Sequence, residues 1–502
     1  MYYRPGGRGS SSYRGSRGNS SSSYRGGRGG WWQPQVVVPA TPAPPLGAMI
    51  KQLNADDLVE ETSLDSTYKH DARITDSVLV ASFNWRDGKT PTIVVPGRPA
   101  RWTPLAEPRE IPDDNGNMGS RNSRSTREVF RDQNSGRFPR HPMQPAIVAT
   151  LKMAPTLPHG DDRPEIVACG STIGSLLRFV SGNDKPFRML VEAVGDTVFL
   201  VRRENSPGEL IPNIQGFGHS FPEHYTTWDQ DVKGSLSHQR VMRYRFGGLR
   251  LLVRFEGDGY LAQAGRKVPS DRRTPPSNAV DDLLGSLERT AVSQTETSTG
   301  AELEVQSSGE LIDQSVVFDL KTRSIKKIDQ DTLGEELPRL WVKQMGNFIL
   351  AYHERGVFNK VDVIPTVDKV KKWEAENQKT LAKLAALLHR IRSLSLNSDD
   401  LPDGKFEVCF SGSGALEFRK QLPDAGDALS EEMKAAWGTG REGAGPDSPD
   451  EFEEDDDDGD YYKPVGVGRK PIWLGGFDDD EVGDDFTACS AELCGYCGRC
   501  SY

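Results

Sequence analysis

The chain has 502 residues, 35% hydrophobic and 27% charged, with a formal net charge of −11. That apolar fraction suits one folded domain with long polar flanks better than three domains. No apolar run approaches the roughly 20 residues of a transmembrane helix, and no apolar signal-peptide core opens the chain, so neither a membrane protein nor a secreted one is expected. A nuclear or cytoplasmic protein is expected instead, the nucleus favoured. Of six cysteines, Cys169 and Cys409 stand alone and four crowd the C-terminus, which is not a secreted disulfide framework.

Residues 1–35 are Arg, Gly, Ser and Tyr with no acid, a composition that stays disordered. Arg8, Arg14, Arg17, Arg25 and Arg28 each precede glycine, and Trp31 and Trp32 add π faces. Guanidinium groups pair with phosphates and stack on bases, so sequence-tolerant RNA binding follows, and the tract resembles the RGG boxes of RNA-binding proteins. Residues 36–76 read as a linker. Residues 77–102 read as a β-hairpin turning at Asp87-Gly88, and 103–145 as loop.

The main domain spans 146–422. It begins with a short helix over 171–180 and two strands, 187–191 and 197–201, around Gly195. Residues 216–228 lead into a further helix. An apolar strand, 251–255, then runs into Glu256 and Asp258. Residues 262–309 turn to Ser, Thr, Gln and charge and read as a disordered insertion. Beyond it, the strand 315–323 carries Asp319 and Lys321 on one face and Leu320 on the other. Three carboxylates and a lysine at the ends of two strands are the donor set for a divalent cation and a phosphate.

A helix over 337–344, a strand over 347–353, one long amphipathic helix over 367–394 with Thr366 as N-cap, and a hairpin over 406–418 complete the domain. The expected fold class is mixed α/β of the α+β kind: a mixed β-sheet flanked by helices in a nuclease-like core, with long disordered termini.

The order Glu-x-Asp, then Asp-Leu-Lys, then a Trp-bearing helix resembles the decapping exoribonuclease (DXO-like) family of the PD-(D/E)XK nuclease-like fold, as a divergent fungal-type member. The likeness runs over roughly 165–420. Glu256 and Asp258 match the family's E-x-D, and Asp319-Leu320-Lys321 matches its E-L-K with Asp for Glu. The resemblance implies that Glu256, Asp258 and Asp319 bind Mg²⁺ or Mn²⁺ and that Lys321 contacts the scissile phosphate or attacking water. The reactions it implies are removal of incomplete or non-canonical 5′ caps and 5′-to-3′ RNA degradation.

Two positions depart from the family pattern. Gly218-His-Ser-Phe-Pro222 aligns with G-Y-K-F-E, placing proline where a glutamate ligand belongs and leaving Glu223 as the substitute. Lys343 stands where W-x-Q has its glutamine, with Gln344 adjacent, and both become candidate RNA contacts. A catalytically degenerate RNA-binding or scaffold protein of the same fold is therefore the alternative reading. An isoprenyl diphosphate synthase is disfavoured, because Asp281-Asp282 lacks the later aspartate of a D-D-x-x-D motif and helix content is low.

Residues 423–485 read as an acidic disordered tail, and 486–502 as a Cys-rich motif. Cys489, Cys494, Cys497 and Cys500 supply enough thiolates for one Zn²⁺. Either tail is a candidate surface for a protein partner.

Overall fold

The β-branched and aromatic runs become strands, and these sort into two mixed sheets. The computed structural model describes residues 42–58, 72–114, 129–160, 162–211, 216–262, 303–397, 401 and 403–438. All of them belong to the unit Thr41–Tyr502.

The first half of the chain supplies β1 (Met49–Leu53), β2 (Thr75–Arg86), β3 (Thr92–Gly97), β4 (Arg101–Trp102), α1 (Gln133–Arg137), α2 (Gln144–Met153), β5 (Ile166–Cys169) and α3 (Gly170–Val180). There follow β6 (Phe187–Val194), β7 (Thr197–Arg202), α4 (Ser220–Tyr225), β8 (Thr226–Thr227), β9 (Ser235–Phe246), β10 (Leu249–Glu256) and β11 (Gly259–Tyr260). The second half adds β12 (Glu304–Gly309), β13 (Val317–Ser324), α5 (Thr332–Lys343), β14 (Asn347–Glu354) and β15 (Val357–Pro365). It ends with α6 (Val367–Glu376), α7 (Gln378–Asn397), β16 (Phe406–Phe410), β17 (Leu416–Lys420) and α8 (Glu431–Gly438).

Among the described residues the larger sheet runs β1-β17-β16-β6-β7-β5-β10-β9-β2-β3-β12 and the smaller β15-β14-β13-β11-β4-β8. One face of the larger sheet packs Leu251, Val253 and Phe255 against apolar residues of α3, α5, α6 and α7. The other buries Leu252 with α2 and α8. The chain is mixed α+β, as its pattern of elements predicts.

The feature that places the candidate site is a crossover. β10 ends with Glu256 opposite Gln239 of β9, and after Gly257 and Asp258 the chain enters the smaller sheet with Gly259 opposite Phe318 of β13. Backbones approach so closely there that a Cβ on Gly259 would meet the Ala100 carbonyl at 2.7 Å and collide with the Phe318 ring. Glu256 and Asp258 thus sit where the two sheets part.

Several segments are more ordered than their composition predicts. The linker over 36–76 contains β1, which pairs antiparallel with β17; Lys51 and Gln52 interrupt the apolar pattern that would announce it. The loop over 103–145 holds α1, started by Asp132, whose Oδ1 accepts from Asn134 N at 2.9 Å. The insertion over 262–309 ends in β12, a polar edge strand parallel to β3. The helix over 367–394 is two helices broken at Asn377, and Thr366 Oγ1 donates to Met345 O instead of capping. The acidic tail begins with α8, whose fully buried Trp437 lies 6.0 Å from Phe199, ring centre to ring centre. The arginines of the 1–35 arm, the acidic run beyond 438 and Cys489, Cys494, Cys497 and Cys500 lie outside the described residues. Among those described, no helix is long and apolar enough to cross a membrane.

Candidate nucleic-acid cleft and carboxylate cluster

Alternation along β13 sends Phe318 and Leu320 to one face and Asp319 and Lys321 to the other. The first face packs against Phe221 and Tyr225 of α4 and Phe358 of β15. The second is covered by α5, which Asp331 starts by accepting from Gly334 N at 2.9 Å and which ends at Gln344 with a left-handed φ of 48°. Trp341 Nε1 donates to Glu374 Oε2 at 2.7 Å and ties α5 to α6. Glu336, Arg339 and Lys343 fall at i, i+3 and i+7, a single helical stripe laid over the charged face of β13.

The result is a buried ionic cluster. Lys343 Nζ lies 2.9 Å from Asp319 Oδ2 and donates to the Glu256 carbonyl at 3.1 Å. Arg339 Nη2 is 3.4 Å from the same Asp319 oxygen, and its Nε is 2.9 Å from Glu336 Oε2. Lys321 Nζ lies 3.1 Å from Glu336 Oε1. Asp258 Oδ2 accepts from Leu320 N at 2.6 Å.

The electrostatics split the carboxylates. Burial opposes ionisation of Asp319, but Arg339 and Lys343 hold its carboxyl below the usual range. Burial pushes Asp258 well up, and the Asp319 charge adds to the rise. Burial also lifts Glu256 to about 7, with Lys343 opposing and Asp319 reinforcing. The two cations thus favour the charged form of Asp319, whereas burial favours the neutral forms of Asp258 and Glu256.

Beside the cluster opens a cleft lined by Arg131, Asp132, Asn134, Ser171, Arg202, Gln239, Arg254, Glu256 and Lys343 among others. Arg254 stands next to Cys169 across the β10–β5 ladder, and Cys169 is the N-cap of α3 without a side-chain capping bond. Arg254 is only 6% exposed, yet its Nε and Nη1 have no hydrogen-bond partner among the described residues. Asp132 is one of its counter-charges: burial resists its ionisation, but Arg254 and Arg202 lower its pKa.

The residues singled out in the sequence scatter across this architecture. Glu256, Asp258 and Asp319 come together, and Glu256 and Lys343 reach the cleft. Lys321 does not line it, because its ammonium is buried against Glu336. Glu223 is exposed on α4, which packs on the face of β13 opposite to Asp319. That helix starts through Asp114, whose Oδ1 accepts from Ser220 N at 2.7 Å, so Pro222 is accommodated without turning Glu223 inward. Gln344 folds back on its own helix, donating from Nε2 to Trp341 O at 2.7 Å.

Arg254, Glu336 and Arg339 were not anticipated. A charged i, i+3, i+7 stripe in 336–343 and an arginine within the apolar run 251–255 were their signals.

A divalent ion does not fit these residues. One Asp319 oxygen is already held by two cations, one Asp258 oxygen accepts from a backbone N–H, and Glu223 faces elsewhere. Among the described residues no group of three or more His, Cys, Asp or Glu side chains could hold a metal ion.

Comparison with known proteins gives three findings. No curated protein sequence matches the chain. The fold is similar to solved fungal structures at low identity. Rai1 from Scheffersomyces stipitis, solved with (3′-NADP)+ and calcium, is 11% identical with a TM-score of 0.46, over 79% of this chain and 99% of that one. Rai1 from Candida albicans, solved with pU5-Mn2+, is 10% identical with a TM-score of 0.44, over 72% and 95%. Dxo1 from K. lactis, solved with manganese, is 9% identical with a TM-score of 0.39, over 77% and 96%. The remaining finding is a family model described as a domain of unknown function, DUF8563, which matches residues 58–399, more than half of the length, and the chain belongs to that family.

Proposed function

We propose that the chain is an RNA-binding protein that seats a terminal RNA phosphate in the Arg254 cleft and holds it without cutting it. The observation that carries this reading is the Arg254 guanidinium, buried in the lining of the cleft with Nε and Nη1 unsatisfied. A buried, unmet pair of charged donors costs free energy that a phosphate oxygen recovers, and a guanidinium fork matches two such oxygens. The first-turn amides of α3 open at the same place and add the positive end of a helix. Ser171, Asn134 and Gln239 supply hydroxyl and amide groups suited to sugar or base edges.

Asp132 and Glu256 oppose an anion in this cleft, and their arrangement limits the penalty. Asp132 spends its carboxylate on the α1 amides, and Glu256 has a pKa near that of a phosphate monoester, so it can take a proton when the anion arrives. The Arg-Gly tract of 1–35 would tether the RNA nonspecifically, leaving the cleft to choose the end. The ion-paired Asp319 favours this reading over metal-dependent decapping.

The test is fluorescence anisotropy with 5′-monophosphate and 5′-hydroxyl RNA of one sequence, in EDTA. The phosphorylated end should bind about tenfold more tightly, and Arg254→Gln should erase that difference and reduce the salt slope by about one. Equal affinity for both ends in the unmodified protein would overturn the assignment.

A further inference from the structure

We infer that Lys343 is a tethered cation standing in the place of a divalent ion, so that the carboxylates at the sheet crossover are complete without metal. The Lys343 ammonium bridges Asp319 Oδ2 at 2.9 Å and the Glu256 carbonyl at 3.1 Å, two oxygens from the two strands whose carboxylates were expected to share a metal. Mg²⁺ needs near-octahedral oxygens at roughly 2.0–2.1 Å and keeps several waters. Lys343 is 1% exposed and Asp319 is fully buried, which leaves little room around that oxygen for the waters Mg²⁺ keeps.

Charge gives the same answer. Five carboxyl groups, Asp132, Glu256, Asp258, Asp319 and Glu336, interact with five cations, Lys321, Arg254, Arg323, Arg339 and Lys343. Even with every carboxyl ionised the charges balance, so a divalent ion would leave an excess of +2 in a buried site. An ammonium supplied by the chain avoids that excess. It is also held in register by α5, whose start, end and tie to α6 fix where the Lys343 side chain reaches. Lys343 is in this sense a positioning residue: it holds β10 and β13 together at the crossover, and does so before any RNA arrives.

The experiment uses the full chain and no RNA, so its outcome is separate from that of the cleft reading. Thermal unfolding is followed with and without Mn²⁺ for the unmodified protein, Asp319→Asn, Lys343→Gln and Lys343→Gln/Asp319→Asn. Binding of Mn²⁺ to the acidic tail is common to all four and cancels in the comparison. Unmodified protein and Asp319→Asn should respond to Mn²⁺ alike. Lys343→Gln should melt lower and recover by roughly 3 °C at ten times the Kd of its newly opened site, a recovery absent from the double variant. Failure of Mn²⁺ to raise the melting temperature of folded Lys343→Gln would overturn the inference.

Crystals of the unmodified protein soaked in Mn²⁺ provide a measurement that needs no variant. No anomalous peak should appear within coordination distance of Asp319, and a peak there would refute the tethered-cation role.

Discussion

Lys343 Nζ and Asp319 Oδ2 lie 2.9 Å apart, with both side chains sealed from solvent. Breaking such a pair from one side leaves a buried charge without its partner, which costs about 3–5 kcal/mol. Asp319→Asn strands Lys343, while Arg339 keeps Glu336, so it should lower the unfolding free energy by that amount in urea titration. Adding Lys343→Gln to it should restore part of the loss. A change below about 0.5 kcal/mol in the single variant would mean that the cluster is solvated in solution.

Stability should also depend on pH through Glu256. Its carboxyl rises from 4.5 to about 7 on folding, chiefly through burial, so the folded state holds the proton more tightly than the unfolded one. That contribution is fully present below pH 4.5 and is lost as pH rises through about 7. Discounted for the partial exposure of this side chain, the decline should be about 1–2 kcal/mol. Glu256→Gln should flatten it. Asp319 has the opposite sign: its carboxyl is depressed, and its contribution disappears only as pH falls below the ordinary carboxylate range. Denaturant titrations between pH 4.5 and 7.5 check the Glu256 limb, and an unchanged slope in Glu256→Gln would contradict the assignment.

The C-terminal boundary of the folded unit is a third point of test. Trp437 and Met433 of α8 are buried in the core that includes Phe199 and Leu252. A chain ended after residue 422 should therefore lose most of its stability, whereas one ended after 438 should melt like the full chain. Trp437→Ala alone should cost about 3–5 kcal/mol.

The sequence was most legible where apolar runs are long. β10, β13, β14 and the two hairpins follow from β-branched and aromatic residues with turn glycines between them. β1 and β12 were hidden because edge strands need only one partner and tolerate polar residues such as Lys51, Gln52 and Gln306. α8 was hidden by the acidic stretch that follows it, although Trp437 and Met433 stand four residues apart, the spacing of one helical face.

In the site, spacing alone placed Asp319 and Lys321 on one face of a strand. What it could not supply was which helix covers that face. Once α5 lies there, Lys321 belongs to Glu336, and Lys343 becomes the partner of Asp319. Glu223 illustrates the same limit, since a residue one position from a motif can face the far side of a sheet.

Whether RNA is held or cut separates a binding protein from a nuclease of the same fold. Purified full-length protein incubated with end-labelled 5′-monophosphate RNA in Mn²⁺, and separately in EDTA, should retain the RNA with equal affinity in both buffers and leave its length unchanged on a denaturing gel. Mn²⁺-dependent shortening of the RNA that disappears in Asp319→Asn would contradict it.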